Sequence, residues 1–240
     1  MIRAVVFDFR HTLLRVDRAY KKSGDFLLGF VRKQGISMTA AEFHQHWTAT
    51  IQAVIASFGR PTHIHDWVAI SLAAFLKRIE VQLSTSAFHQ LNRQYERVFV
   101  RTVSLYPDAR VCIQYLKKHN IKLAVVIDGT RRRERAILKR LKLDRAFDAI
   151  IISEEVGSNK FSSLPLQRAI KRLGIPTRET LVVGDRIDKD IVHANRLGCI
   201  SVKLERHAGR YTSARARKAI EQPQYVIHGL RELAGLVSKR

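Results

Sequence analysis

Cysteine is scarce: Cys112 and Cys199 are the only two in 240 residues. They lie far apart, with no CxxC or Cys/His ligand spacing, which excludes a disulfide framework and a zinc finger. Both are expected to be small buried hydrophobes in a reducing cytoplasm. No run of ~18 apolar residues occurs, so no membrane span is expected. Asp8 interrupts the N-terminal apolar run before it could serve as a signal-peptide core. Internal repeats and low-complexity segments are absent as well. Acidic residues are the other shortage: 21 Asp and Glu face 43 Lys and Arg, a net charge of +22. That balance favours polyanionic or phosphorylated partners and does not constrain the fold. Hydrophobic residues at 46% and charged residues at 27% are ordinary globular usage.

What is present is a set of short Val- and Ile-rich runs, three of which end in an acidic residue. These are Ala4-Val5-Val6-Phe7 before Asp8, Leu123 to Ile127 before Asp128, and Leu181-Val182-Val183 before Gly184-Asp185. Ala149 to Ile152 and Cys199 to Val202 follow the same style. Continuous β-branched runs of this length read as strands buried on both faces of a parallel sheet. Amphipathic stretches over 109–119, 131–141, 163–173 and 190–197 supply the alternating helices. The expected fold is therefore α/β, a Rossmann-like three-layer core. The segment 16–104 lacks buried strands and carries helical patterns such as Phe26-Leu27-Phe30-Val31 and Val68-Leu72-Phe75-Leu76. It reads as a helical domain inserted after the first strand, splitting the core into 1–15 and 105–240. The positive excess sits mostly on the core.

Ligands of open α/β sheets bind beyond the carboxyl ends of the strands. Asp8, Asp128 and Asp185 all fall on that edge. Carboxylates so gathered repel unless a cation or a basic residue sits among them, and an oxygen-rich constellation is what Mg2+ prefers.

These residues resemble the haloacid dehalogenase-like (HAD) hydrolase superfamily from end to end. Val6-Phe7-Asp8-Phe9-Arg10-His11-Thr12-Leu13 is similar to its first motif, DxDxT, and Val126-Ile127-Asp128-Gly129-Thr130 to its second. Lys160 is similar to the third, and Gly184-Asp185-Arg186-Ile187-Asp188-Lys189-Asp190 matches the fourth, GDxxxxD, in full. The helical insertion stands where that superfamily places its type I cap.

The resemblance implies a phosphatase acting on a small phosphorylated substrate. Asp8 would attack phosphorus to form an aspartyl-phosphate. Mg2+ would be held by Asp8, the main-chain carbonyl of Arg10, and Asp185, with Asp190 or Asp188 in support. Lys160 would hold Asp8 and the phosphate in register, and Arg10, Asp128 and Gly129 would contact substrate. Two departures qualify this. Arg10 stands where the phosphatases carry an acid, and arginine cannot exchange a proton at neutral pH. Ile127 stands where a Ser or Thr hydroxyl is usual. Adjacent His11 is a candidate for the missing proton transfer. The alternative is a catalytically impaired member that binds RNA or another polyanion through Arg131-Arg132-Arg133-Glu134-Arg135 and the cluster Arg206, Arg210, Arg215, Arg217 and Lys218. A monomer or a homodimer, cytoplasmic and not membrane-bound, is expected in either case.

Overall fold

The computed structural model describes residues 1–59, 61–206 and 216–238. Within the expected cluster, Arg210 and Arg215 lie outside the described residues. The chain begins with strand β1 (Ala4–Asp8) and the short β2 (Leu14–Arg15), followed by helices α1 (Asp17–Lys33), α2 (Ala40–Phe58), α3 (Trp67–Arg78) and α4 (Thr85–Thr102). It continues through β3 (Ser104–Leu105), α5 (Pro107–Lys118), β4 (Lys122–Ile127), α6 (Arg131–Arg140), β5 (Ala149–Ile152), α7 (Ser153–Val156) and α8 (Leu164–Leu173). The last elements are β6 (Thr180–Gly184), α9 (Val192–Arg196), β7 (Ile200–Leu204), β8 (Tyr225–Ile227) and α10 (Leu233–Ser238). The chain divides into two compact units, residues 1–15 with 104–240 and residues 16–103.

The first unit is built on a six-stranded sheet of order β5-β4-β1-β6-β7-β8 with every pairing parallel. Such a sheet needs helices over both faces, which is why its strands read as unbroken apolar runs. Ala4, Val6, Ala124, Val126, Ala149, Ile151 and Val182 point to one face and pack with Leu166, Ala169 and Leu173 of α8. Cys112 and Cys199 are buried as expected, and burial pushes both thiols up to about 12. β1 lies between β4 and β6, with Asp8 beside Val126 and Phe7 beside Val183. One register thus brings Asp8, Asp128 and Asp185 to the same carboxyl edge.

The second unit is four helices around a core of Leu27, Val31, Phe43, Leu72, Phe75, Leu91 and Tyr95. Phe75 meets Phe43 and Trp47 edge-on at 5.4 and 5.3 Å, the ring geometry that aromatic quadrupoles favour. Three of its helices start where the sequence supplies a cap: Thr39 with Glu42 in a capping box, Asp66 accepting from the Ala69 N–H, and Ser84 accepting from the Ala87 N–H. Each satisfies an amide that helix geometry leaves open.

One helix departs from the sequence pattern. The stretch 190–197 reads as a regular helix, but a π-helical turn, Ile187–Ile191, precedes α9, and the Ile191 N–H reaches back to the Arg186 carbonyl. The cause is the Asp190 carboxylate, which accepts the Arg186 N–H at 3.0 Å and folds back against Gly184. A Cβ on Gly184 would lie 2.3 Å from Asp190 Oδ2, so only glycine permits this approach. Widened turns of this kind recur at functional sites.

Candidate active site

The carboxyl edge of the sheet gathers three carboxylates and a lysine. Asp8 ends β1, Asp185 follows β6, and Asp190 is carried by the π-helical turn. One oxygen from each lies within 4.8 Å of the other two. Lys160 Nζ pairs with Asp8 Oδ1 and, at 2.5 Å, with Asp190 Oδ1. The lysine side chain is only 7% exposed, so burial works against its charge, yet Asp190, Asp8 and Asp128 outweigh that and hold its ammonium well above the ordinary range. Asp185 is pushed up to about 8, first by burial and then by Asp8 and Asp190. Asp190 rises to about 6 because its burial and the Asp8 charge exceed the relief from Lys160.

This is a carboxylate cluster with too little positive charge. Asp8 Oδ2 and Asp185 Oδ2 are buried and accept no hydrogen bond from the described residues. Orphaned anionic oxygens so disposed fit a hard divalent cation such as Mg2+. Asp188 is not part of the set. Its two oxygens take Arg186 Nε and Nη2 at 2.9 and 2.6 Å.

Lys160 reaches the cluster because its backbone is anchored. α7 ends at Gly157 with φ +71, and the loop that follows presents the Lys160 N–H to Asp128 Oδ1 at 2.8 Å. Asp128 Oδ2 pairs with Lys189 Nζ at 2.6 Å. Burial alone would raise the Asp128 carboxyl, but Lys189 and Lys160 hold it below the ordinary range. Asp128 therefore aligns the lysine loop. Gly129 follows with φ +154, and its N–H donates to Ser153 Oγ at 3.0 Å. His11 sits in the turn between β1 and β2 with φ +61, its N–H donating to the Leu14 carbonyl.

Arg10 turns toward the second-motif strand. Its Nη1 donates to the Asp128 carbonyl at 2.6 Å and its Nη2 to Glu134 Oε1 at 2.5 Å. Glu134, in the first turn of α6, has a fully buried side chain and takes Arg133 Nε at 2.9 Å on the same oxygen. A Cβ on Gly129 would fall 2.2 Å from that oxygen, so the glycine is what lets Glu134 lie there. The sequence reading missed Glu134, Lys189 and Ser153. The signal for Glu134 was present: a single acid inside an arginine run, in the turn after the second motif, where a solvated basic face has no need of one.

Among the described residues, part of each basic cluster is engaged in ion pairs. Arg131 and Arg135 bind Glu155 at 3.6 and 2.8 Å, and Arg133 binds Glu134. Arg206 holds Asp108 at 3.0 Å, donates to the Thr12 carbonyl, and lies 3.7 Å over the Tyr106 ring.

The haloacid dehalogenase-like hydrolase profile matches residues 5–203. A glyceraldehyde 3-phosphate phosphatase of Methanopyrus kandleri is 28% identical over 239 residues, covering 99% of this chain and 97% of that protein. A pyrophosphatase PpaX of Bacillus mycoides is 28% identical over 161 residues, 67% of this chain and 71% of that one. Among solved structures, a HAD-hydrolase of Bacillus subtilis bound to magnesium superposes with a TM-score of 0.75 at 21% identity, over 99% of both chains. The chain belongs to the haloacid dehalogenase-like hydrolase family.

Proposed function

We propose that the protein is a Mg2+-dependent phosphatase of small phosphorylated substrates that works through an aspartyl-phosphate on Asp8. The observation that carries this reading is the contact of one buried ammonium, Lys160, with both Asp8 and Asp190 beside Asp185. Asp8 is the one carboxylate of the set that closes a strand at the open edge, and it is placed to attack. Lys160 screens Asp8 from Asp190 and offers positive charge to the incoming phosphoryl oxygens. Asp8, the Arg10 carbonyl, Asp185 and Asp190 would hold Mg2+, which supplies neutralisation of charge on the transferring group. The relatives named for phosphatase and pyrophosphatase activities support a small phosphorylated substrate. A cytoplasmic location belongs to the same reading. The polyanion-binding alternative draws less support, because the named relatives are phosphatases and pyrophosphatases. Phosphate release from 4-nitrophenyl phosphate is expected with Mg2+ and is expected to vanish on chelation. Metal-independent release would contradict the reading.

The same cluster sets a pH dependence of stability. Asp185 and Asp190 have folded values of about 8 and about 6, above their ordinary 3.8. The metal-free folded state therefore keeps protons that the unfolded chain has already lost, and folding weakens as pH rises through that window. Compared with an Asp185→Asn variant, chelated wild-type protein is expected to lose melting temperature as pH rises toward 8, the window of those shifts. Added Mg2+ is expected to raise the melting temperature most at the upper end, where protons no longer compete for the oxygens. An Asp185→Asn variant whose melting temperature falls with pH as steeply as that of the wild type would contradict this assignment.

A further inference from the structure

Breaking a phosphorus–oxygen bond leaves electrons on the departing oxygen. That oxygen either takes a proton as it leaves or departs as an anion. The first route needs a protonated donor beside the site. His11, in the turn after Arg10, is one candidate, removed if His11→Ala leaves the leaving-group panel below unchanged. Among the described residues, the carboxyl edge keeps its side-chain acids otherwise engaged. Asp8 and Asp190 are on Lys160, Asp128 is on Lys189, Asp188 is on Arg186, and Asp185 completes the candidate metal set. Glu134 is on Arg10 and Arg133. On the loop after Asp8, the charged side chain that faces this edge is Arg10, fixed between the Asp128 carbonyl and Glu134 Oε1. A guanidinium so held donates hydrogen bonds and gives up no proton at neutral pH.

Resting on the phosphatase reading above, we propose that the substrates are anhydrides of phosphoric acid, acyl phosphates or phosphoanhydrides, and not alkyl phosphate monoesters, with Glu134 as the residue that positions Arg10. An anhydride releases a carboxylate or a phosphate, both stable anions at neutral pH, whereas an alkyl ester would have to release an alkoxide. The step balances without an acid. Asp8 forms the new bond to phosphorus, the bond to the leaving oxygen breaks, and its electron pair departs with the carboxylate or phosphate anion. Water then attacks the phosphorus of the aspartyl-phosphate and regenerates the Asp8 carboxylate. One of its protons stays on the inorganic phosphate and the other passes to solvent. Arg10, locked in place, gives the edge a fixed donor in place of a titrating one. Its lock is built from three features that occur together: the buried Glu134 carboxylate, the Asp128 carbonyl, and a glycine at 129 that leaves Glu134 its space.

The test is a panel of leaving groups. Values of kcat/KM are measured with Mg2+ for acetyl phosphate, pyrophosphate, 4-nitrophenyl phosphate, phenyl phosphate and glycerol 3-phosphate. A steep fall along that series is expected, with acetyl phosphate exceeding glycerol 3-phosphate by more than about 10³-fold, the scale on which general acids act. Restoring an acid with Arg10→Asp/Glu134→Gln is expected to narrow that ratio at least about tenfold, within the same scale. Glu134→Ala is expected to lower kcat for anhydrides more than for esters and to shift the ratio further than Glu134→Gln, which keeps an acceptor for Arg10; a purely structural role would lower all substrates alike. The wild-type panel decides the question even if a variant does not fold. Glycerol 3-phosphate turned over within tenfold of acetyl phosphate overturns the anhydride proposal and leaves the phosphatase reading standing. Turnover of none of the five overturns both.

Discussion

Asp8→Asn is expected to lower phosphate release by on the order of 10⁴- to 10⁶-fold, the loss seen when a nucleophile is removed from an otherwise intact site. The amide has the shape of the carboxylate but lacks the charge to attack phosphorus. The fold should survive, because the substitution removes one of three mutually repelling carboxylates from a buried cluster. Asp185, relieved of the neighbour that helps to raise it, should titrate lower, and the metal-free variant should melt no earlier than the wild type near pH 8. Phosphate assays and thermal melts on the same preparation separate the two effects. Activity within tenfold of wild type would remove Asp8 from the chemistry.

Lys160→Met carries the second large expectation, on stability as well as on rate. Lys160 is the ammonium in direct contact with both Asp8 and Asp190, whose side chains are 12% and 3% exposed. Taking one partner out of a buried ion pair leaves an uncompensated charge and costs about 3–5 kcal/mol. Urea unfolding of chelated protein should show that loss as a lowered midpoint with an unchanged slope. Mg2+ should recover part of it, since a cation bound among the same carboxylates takes over some of the neutralisation. Activity should remain low even with the metal present, because charge at the transferring phosphoryl group is missing. An unchanged midpoint would show that the two carboxylates are neutralised by something other than Lys160.

Much of this arrangement was legible in the chain because sheet physics writes itself into sequence. A strand buried on both faces must be apolar throughout, so Ala4–Asp8, Lys122–Ile127 and Thr180–Gly184 stood out, and the acids that follow them marked the edge where a ligand would sit. The GDxxxxD spacing put Asp185 and Asp190 together even though the turn between them is wider than a regular helix. What stayed hidden were the partners. Lys189 was read only as a spacer in the fourth motif, although its ammonium reaches Asp128 and lies 4.1 Å over the Phe161 ring. Glu134 was absorbed into a basic run read as a polyanion-binding patch, whereas Arg133 is 6% exposed and Glu134 is fully buried. Pairings across 124 residues of chain, such as Arg10 with Glu134, leave no local periodicity to read. The net charge of +22 pointed outward to polyanions. In the structure, several individual basic side chains, Arg10, Arg133, Lys160 and Lys189, turn inward and pair with the acids of the site, and the net excess remains.

The central claim is that phosphate passes through Asp8. Acid quenching during turnover of 4-nitrophenyl phosphate, followed by peptide mass spectrometry, tests it most directly. One phosphoryl group is expected on the peptide containing Asp8, present with Mg2+ and absent both under chelation and in Asp8→Asn. Steady phosphate release with no phosphorylated Asp8 at any quench time would contradict it.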